Sequence, residues 1–225
     1  MGPWRGDPHT AYVAPVSTTP PPTPGMIRHA CAVLADRGYG DVVTGALSAT
    51  EQRGFLDAGF TVREELHLLG AELHDLPAAP DAGLRRGRRR HRAGALAVDA
   101  AAFQPFWRLD ESGLEDALRA TPSTRFRVAT DGGAIVGYAV CGRAGRRGYV
   151  QRLAVEPGRQ GAGLGRALLV DGLRWLERRG ARSAVVNTQV GNERALRLYT
   201  ALGFRLQPSG LAVLVRRLET SGAVR

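Results

Sequence analysis

The spacing of apolar and polar residues changes period several times along the chain, and each change marks a predicted element. Ile27 to Leu34 reads as a short helix ending at Arg37-Gly38, and Asp41 to Leu47 as a short strand. Ser48 caps a helix that continues to about Ala58, after which Val62 to Leu73 reads as extended. Leu96 to Val98 predicts a strand, Asp99 an N-cap and Ala100 to Trp107 a helix; Leu114 to Ala120 makes another, stopped near Pro122. Phe126 to Thr130 and Ala134 to Arg143 are strands joined by Asp131-Gly132-Gly133, a hairpin signal. Tyr149 to Val155 reads as a central strand and Gly163 to Arg179 as the helix after it. Ser183 to Thr188 is then a strand, Asn192 to Leu202 a helix and Leu211 to Arg217 a closing strand.

One junction in this pattern carries chemistry. Leu153-Ala154-Val155 runs through Glu156-Pro157-Gly158-Arg159-Gln160 into Gly161-Ala162-Gly163-Leu164-Gly165-Arg166, and an apolar-periodic run follows to Trp175-Leu176. Glycines at 161, 163 and 165 clear side chains from the path of an approaching ligand. The first N–H groups of the helix lack intrahelical partners and lie at the positive end of its dipole. Arg159 and Arg166 add fixed charge suited to phosphate oxygens. Pyrophosphate binding at a helix N-terminus is the chemistry this invites. The spacing departs from G-x-G-x-x-G, no acidic residue closes a following strand, and no Gly-Lys-Ser/Thr ending is present. Neither a dinucleotide fingerprint nor an NTPase phosphate loop therefore applies. A purely structural helix-entry turn is the alternative.

Gln160, Gly163 and Gly165 resemble the acyl-CoA-binding signature Q/R-x-x-G-x-G/A of the GNAT superfamily of N-acetyltransferases. Asn192 to Phe204 resembles that superfamily's other signature, N-x-x-A-x-x-L-Y-x-x-x-G-F, and the two blocks follow in its order and at its separation. The resemblance covers about residues 96–217. It implies an α/β chain of the α+β type, with a twisted mixed central sheet flanked by helices. It also implies acetyl transfer from acetyl-CoA to a primary amine, of a small molecule or a protein N-terminus, by direct attack. By resemblance, backbone groups of Leu153 and Val155 bond the pantetheine arm, and Arg159, Gln160, Gly161, Gly163, Gly165 and Arg166 hold the pyrophosphate. Asn192 lies near the CoA arm, and Tyr199 is the general acid that protonates the departing thiolate. Many relatives carry a glutamate on the strand Ser183–Thr188, where this chain has Asn187. No base is assigned: Glu156 is expected to cap or orient the turn, and Gln151, Asp99 and Glu193 are candidates for holding water. Phe103, Phe106 and Trp107 either wall the acceptor cleft or pack the core, and Trp175 is expected in the core.

A partial repeat precedes this region. Phe55-x-x-x-Gly59-Phe60 aligns with Tyr199-x-x-x-Gly203-Phe204, and Arg37-Gly38 with Arg179-Gly180 after a two-residue gap. Residues 26–76 thus look like the closing half of a degenerate GNAT module, lacking a glycine turn and carrying Phe55 at the tyrosine position. The remaining segments are a proline-rich disordered leader (1–25), an arginine-rich linker (77–95), the catalytic domain (96–217) and a tail (218–225). Met26, just past the leader, is an expected alternative translation start.

Composition changes this picture little. All 31 basic residues are arginine, which, with abundant alanine and glycine, reads as coding bias, so the net charge of +10 is a weak argument for nucleic acid. It still favours anionic ligands. Two cysteines and five scattered histidines give neither a disulfide framework nor metal spacing. No apolar run reaches membrane-spanning length and the start lacks a secretory apolar region. The expectation is a cytoplasmic acyltransferase without a metal, with a homodimer left open. A non-catalytic acyl-CoA-binding regulatory module is the second reading, and nucleic-acid binding through the arginine run the third.

Overall fold

A computed structural model describes residues 2–15, 20–78 and 82–219, and among these it shows eleven strands and six α-helices. In order they are β1 (Gly2–Trp4), β2 (Asp7–Val13), α1 (Pro24–Asp36), β3 (Asp41–Ser48), α2 (Ala49–Leu56), β4 (Thr61–Glu72), β5 (Arg85–Arg86), α3 (Arg92–Ala102) and α4 (Glu111–Arg119). They continue with β6 (Ser123–Asp131), β7 (Ala134–Ala144), β8 (Arg147–Val155), α5 (Leu164–Arg178), β9 (Ser183–Gln189), α6 (Glu193–Thr200), β10 (Arg205–Leu206) and β11 (Leu211–Arg217). The chain forms two compact units: residues 1–68, 187–192 and 207–225, and residues 69–186 and 193–206.

In the first unit the strand order is β1-β2-β3-β11-β4, parallel at β2/β3 and otherwise antiparallel. Its core joins Ile27, Cys31 and Leu34 of α1, Phe55 of α2 and Phe60 to Ala11, Val42, Ala212 and Leu214 of the sheet. The apolar residues of α1 fall at i, i+4 and i+7, one helical face.

In the second unit the end of β4 pairs with β10 (Leu69 opposite Leu206), and the order continues β9-β8-β7-β6-β5. β5/β6, β6/β7 and β7/β8 are antiparallel and β8/β9 is parallel. On one face α3 and α4 cover Val128, Tyr138, Val140 and Ala154. On the other, Leu169, Leu173 and Leu176 of α5 join Tyr199, Phe204, Leu69 and Trp175, which is core as expected. Gly172 lets α5 approach β7, since a Cβ there would stand 2.4 Å from the Cys141 sulfur. Arg125 fastens α5 to β6 through a bidentate bond to Asp171 at 2.7 and 2.8 Å.

Several expectations are corrected. Leu96 to Val98 is not a strand: Ala95, Val98 and Asp99 are buried within α3, which starts at Arg92, and the helix ends at Ala102 rather than Trp107. Alternation at 96–99 resembled a strand because an acid occupies the buried face. The arginine run is not a featureless linker, since it contains β5, a 3-10 turn at Arg89–His91 and the first residue of α3. Arginine is a good helix former and Arg92 pairs with Glu115 of α4 at 2.6 Å. Residues 2–13 of the expected disordered leader form β1 and β2, with Ala11 fully buried. A chain begun at Met26 would lack that strand pair. In the expected tail Leu218 is buried. Residues 16–19 of the leader, 79–81 of the linker and 220–225 of the tail lie outside the described residues.

Candidate active site

The site begins where β8 loses a neighbour. The β8/β9 ladder pairs Arg147 with Ser183, Gly148 with Ala184 and Tyr149 with Val185, and ends there. On the opposite edge β7 stays paired to Val155, with a register shift that passes over Gln151. The Glu156 N–H donates to the Val136 carbonyl at 2.9 Å. Backbone groups alternate along a strand, so those of Ala154 and Arg152 face β7 too, and those of Leu153 and Val155 face the edge where the ladder has stopped. The Val155 carbonyl accepts from the Gln160 side-chain amide at 2.9 Å.

After Val155 the chain makes a 3-10 turn (Pro157–Arg159) and reaches α5 through Gly161 and Gly163, at φ +88° and +82°. That left-handed geometry costs any other residue, and the first amides of α5 that follow it have no intrahelical partners. A Cβ at 158, 161 or 163 would meet nothing within 4 Å, so the turn is open to a ligand. Gly165 differs: its Cβ would make ordinary contact with Leu198, 3.5 Å away, and Val155. It is not needed for clearance.

The polar side chains of the turn divide. Arg166 is exposed, whereas Arg159 pairs with Asp131 of the β6/β7 hairpin at 2.5 Å. Gln160 is held twice: its amide by Val155 and its oxygen by the guanidinium of Arg194 on α6. Its side chain thus ties the strand end, the turn and α6 together. Glu156 does not cap the turn as expected; it is exposed and makes no side-chain cap bond.

Tyr199 lies on α6, 5% exposed, its ring 5.8 Å from Phe204 in the cluster with Cys141, Val150 and Leu153. Burial pushes its phenol well above the usual range, Cys141 adds to the shift and Arg152 opposes it. The hydroxyl therefore keeps its proton at neutral pH. The Cys141 thiol is itself pushed up to about 12, first by burial and then by Asp171, so it is not a ready nucleophile. Asn192 belongs to the segment 187–192 of the first unit and is not brought into one unit with Tyr199 and the glycine turn; its N–H bonds the Gln189 carbonyl.

Sequence reasoning missed a buried polar cluster beneath the site. Asp99, fully buried, accepts from Arg152 Nε and Nη2 (2.7 and 2.8 Å), the Tyr138 hydroxyl (2.6 Å) and the Leu109 N–H (2.7 Å). It is neither an N-cap nor a water holder, because its oxygens are taken. Arg152 also bonds the Trp107 carbonyl at 2.6 Å, and its guanidinium lies 3.5 Å from the Phe103 ring centroid. The segment after α3 is thus anchored to β8, with Phe106 and Trp107 edge-to-face at 5.1 Å. An acid at a core-facing helical position was the available signal, since such a group needs a buried partner. Gln151 is partly buried with its oxygen unpaired among the described residues, while Asn187 and Glu193 are exposed.

The Acetyltransferase (GNAT) family profile matches residues 91–204, half of the chain. The chain belongs to the GNAT family. The chain is 38% identical over 126 residues to a mycothiol acetyltransferase of Frankia alni, a match spanning 48% of this chain and 38% of that protein. A mycothiol acetyltransferase of Amycolatopsis mediterranei is 40% identical over 88 residues, 35% of this chain and 29% of that one. The matches thus span well under half the length of these curated relatives. Among solved structures, a GNAT-family protein from Novosphingobium aromaticivorans superposes with TM-score 0.65 at 21% identity, over 94% of this chain and 86% of its own. A tandem GNAT protein from the clavulanic acid biosynthesis pathway gives 0.64 at 14%, over 87% and 69%. The GNAT fold, a twisted mixed sheet with helices on both faces, is the one expected from the sequence. Among the described residues no helix is long and apolar enough to cross a membrane and no cluster of metal-ligating side chains forms.

Proposed function

We propose that the chain transfers an acetyl group from acetyl-CoA to the primary amine of a small molecule. The observation that carries this reading is the open glycine turn at the head of α5, directly after a strand whose Leu153 and Val155 backbone faces an edge without a continuing ladder. The diphosphate sits against the amides of 161–166 with Arg166 as counter-charge. The pantetheine arm runs along β8, bonding Leu153 and Val155 as an added strand would. A backbone N–H on this edge polarises the thioester carbonyl, a fixed-dipole effect worth about 3 kcal/mol per donor. The amine attacks directly, the tetrahedral intermediate expels the thiolate, and the Tyr199 hydroxyl supplies the proton. A phenol kept neutral by burial can do this throughout the physiological range. The amine loses its own proton through ordered water, since neither Asn187 nor the fully bonded Asp99 serves as a base.

A small-molecule acceptor is favoured over a protein N-terminus because these curated relatives are named mycothiol acetyltransferases. An amine related to mycothiol is the first acceptor to try. The second reading, an acyl-CoA-binding module without catalysis, draws on the burial of Tyr199 in a packed cluster. The test is calorimetric titration with acetyl-CoA followed by release of free CoA in the presence of amines. Micromolar binding, abolished by Gly163→Glu, with amine-dependent thiol release supports the transferase. Binding without release under any amine supports the regulatory module, and absence of binding overturns both.

A further inference from the structure

The repeat seen in the sequence extends further in three dimensions than residues 26–76. After α1, Arg37 and Tyr39 N–H groups both reach the Leu34 carbonyl and Gly38 sits at φ +89°; after α5, Arg179 and Ala181 both reach Leu176 and Gly180 sits at +84°. After α2, Ala58 and Phe60 bond the Phe55 carbonyl, with Gly59 at +87°. After α6, Leu202 and Phe204 bond Tyr199, with Gly203 at +83°. The strand before each first helix also corresponds. β2 is antiparallel to β1 and parallel to β3, as β8 is antiparallel to β7 and parallel to β9. The described elements of the first unit therefore repeat β7-β8-α5-β9-α6 as β1-β2-α1-β3-α2, and α1 is approached through Pro20, Pro21, Pro22 and Thr23.

Beside Pro20 to Thr23 lies a cavity of about 560 Å³, within the usual range for small-molecule sites. It occupies the place in the first unit that the open glycine turn and Tyr199 occupy in the second: the end of β2, the prolines before Thr23, the start of α1, and Phe55 with Phe60. Its chemistry is opposite. Among the described residues no charged side chain lines it, in a chain with 31 arginines. Pro20, Pro21 and Pro22 offer no N–H where an anion would need donors. The Met26 N–H is taken by the Thr23 hydroxyl and that of Ile27 by the Thr23 carbonyl. Phe55 carries no hydroxyl. Met26, at the rim, is 63% exposed, an adaptable apolar side chain left in water.

We propose that this cavity is a second ligand site, which takes an uncharged, mainly aliphatic molecule and excludes phosphates. It is independent of the acetyl-CoA reading, which concerns the other unit. The test uses the full chain and 1-decanol as probe, titrated by calorimetry. Saturable one-to-one binding is expected, weakened at least tenfold by Met26→Glu, which puts a charge at the mouth, and by Ala30→Trp, which fills the interior. Thermal melting followed by circular dichroism checks that both variants are folded; Met26 is exposed, so its variant keeps the test valid if Ala30→Trp does not fold. Gly163→Glu should leave decanol binding intact while removing acetyl-CoA binding. Absence of saturable binding, binding unaffected by Met26→Glu, or displacement of decanol by acetyl-CoA would each overturn the proposal.

Discussion

Burial of Tyr199 decides what a substitution there does. Replacing its hydroxyl leaves the ring packed on Phe204, so Tyr199→Phe should fold and bind acetyl-CoA as before while kcat falls by about 10²–10⁴, the span for a lost general acid. Steady-state kinetics beside calorimetry checks this; an unchanged kcat would return Tyr199 to a packing role. The sign of its pH behaviour follows from the raised phenol. The folded pKa lies above the usual 10.0, so the stabilisation is complete below about pH 10 and is lost as pH climbs through the higher folded value. A pH–rate profile should accordingly show no falling limb from Tyr199 between pH 7 and 10. The buried pair beneath the site responds in another way. Asp99 is fully buried and Arg152 nearly so, and Arg152→Leu strands a carboxylate with two remaining donors, the Leu109 N–H and the Tyr138 hydroxyl, where charge was balanced. A loss of about 3–5 kcal/mol in urea unfolding is expected, the usual effect of removing one partner of a buried pair. A loss under 1 kcal/mol would mean that the cluster is solvated in solution.

Among elements, the strand-turn-helix at β8 and α5 was legible because each requirement leaves a residue-level trace. Left-handed positions need glycine, and Gly161 and Gly163 supply it; the helix after them needs one apolar face, and Leu169, Leu173 and Leu176 supply that. Gly165 shows the limit of reading a motif as a unit. It lies inside α5, with room for a methyl group, so Gly165→Ala should stabilise the fold by up to about 1 kcal/mol and leave acetyl-CoA binding unchanged. Gly163→Ala forces a side chain into the left-handed region and should cost about 1–2 kcal/mol. Opposite shifts in melting temperature for the two variants are the measurement; equal shifts would refute the distinction. The elements that were not legible have physical reasons as well. The first turn of α3 hides behind a run of arginines because its inward positions are Gly94, packed against Ile135, and the fully buried Ala95, too small to mark an apolar face. The pair β1 and β2 hides among prolines because Pro8 lies in β2 outside its pairings with both β1 and β3, so its missing N–H removes no ladder bond.

At the scale of the whole molecule, what could not be read from local sequence is which strand completes which sheet. β11, at the C-terminal end, lies between β3 and β4 in the first unit, and the end of β4 lies beside β10 in the second. Periodicity marks a strand but carries no information on a partner about 150 residues away, so a boundary placed between residues 77 and 95 looked natural. It cuts the second unit instead. Leu69 and Leu73 are 0% and 7% exposed in the cluster that contains Tyr199, Phe204 and the inner face of α5. Deleting a single buried leucine side chain to alanine costs about 2–5 kcal/mol, and whole domains are stable by only about 5–15. A fragment starting at Leu84 loses both leucines, the strand that carries them, and the pairing of β10 with Leu69 and Gly70. It keeps both signature blocks and the entire 91–204 match. Family membership alone therefore predicts a folded, active fragment, whereas the sheet predicts one without a cooperative melt. Circular dichroism melting of residues 84–225 beside the full chain separates these: a cooperative transition within a few degrees of the full chain would show β4 dispensable, and its absence would show that the N-terminal half supplies a strand the GNAT half needs.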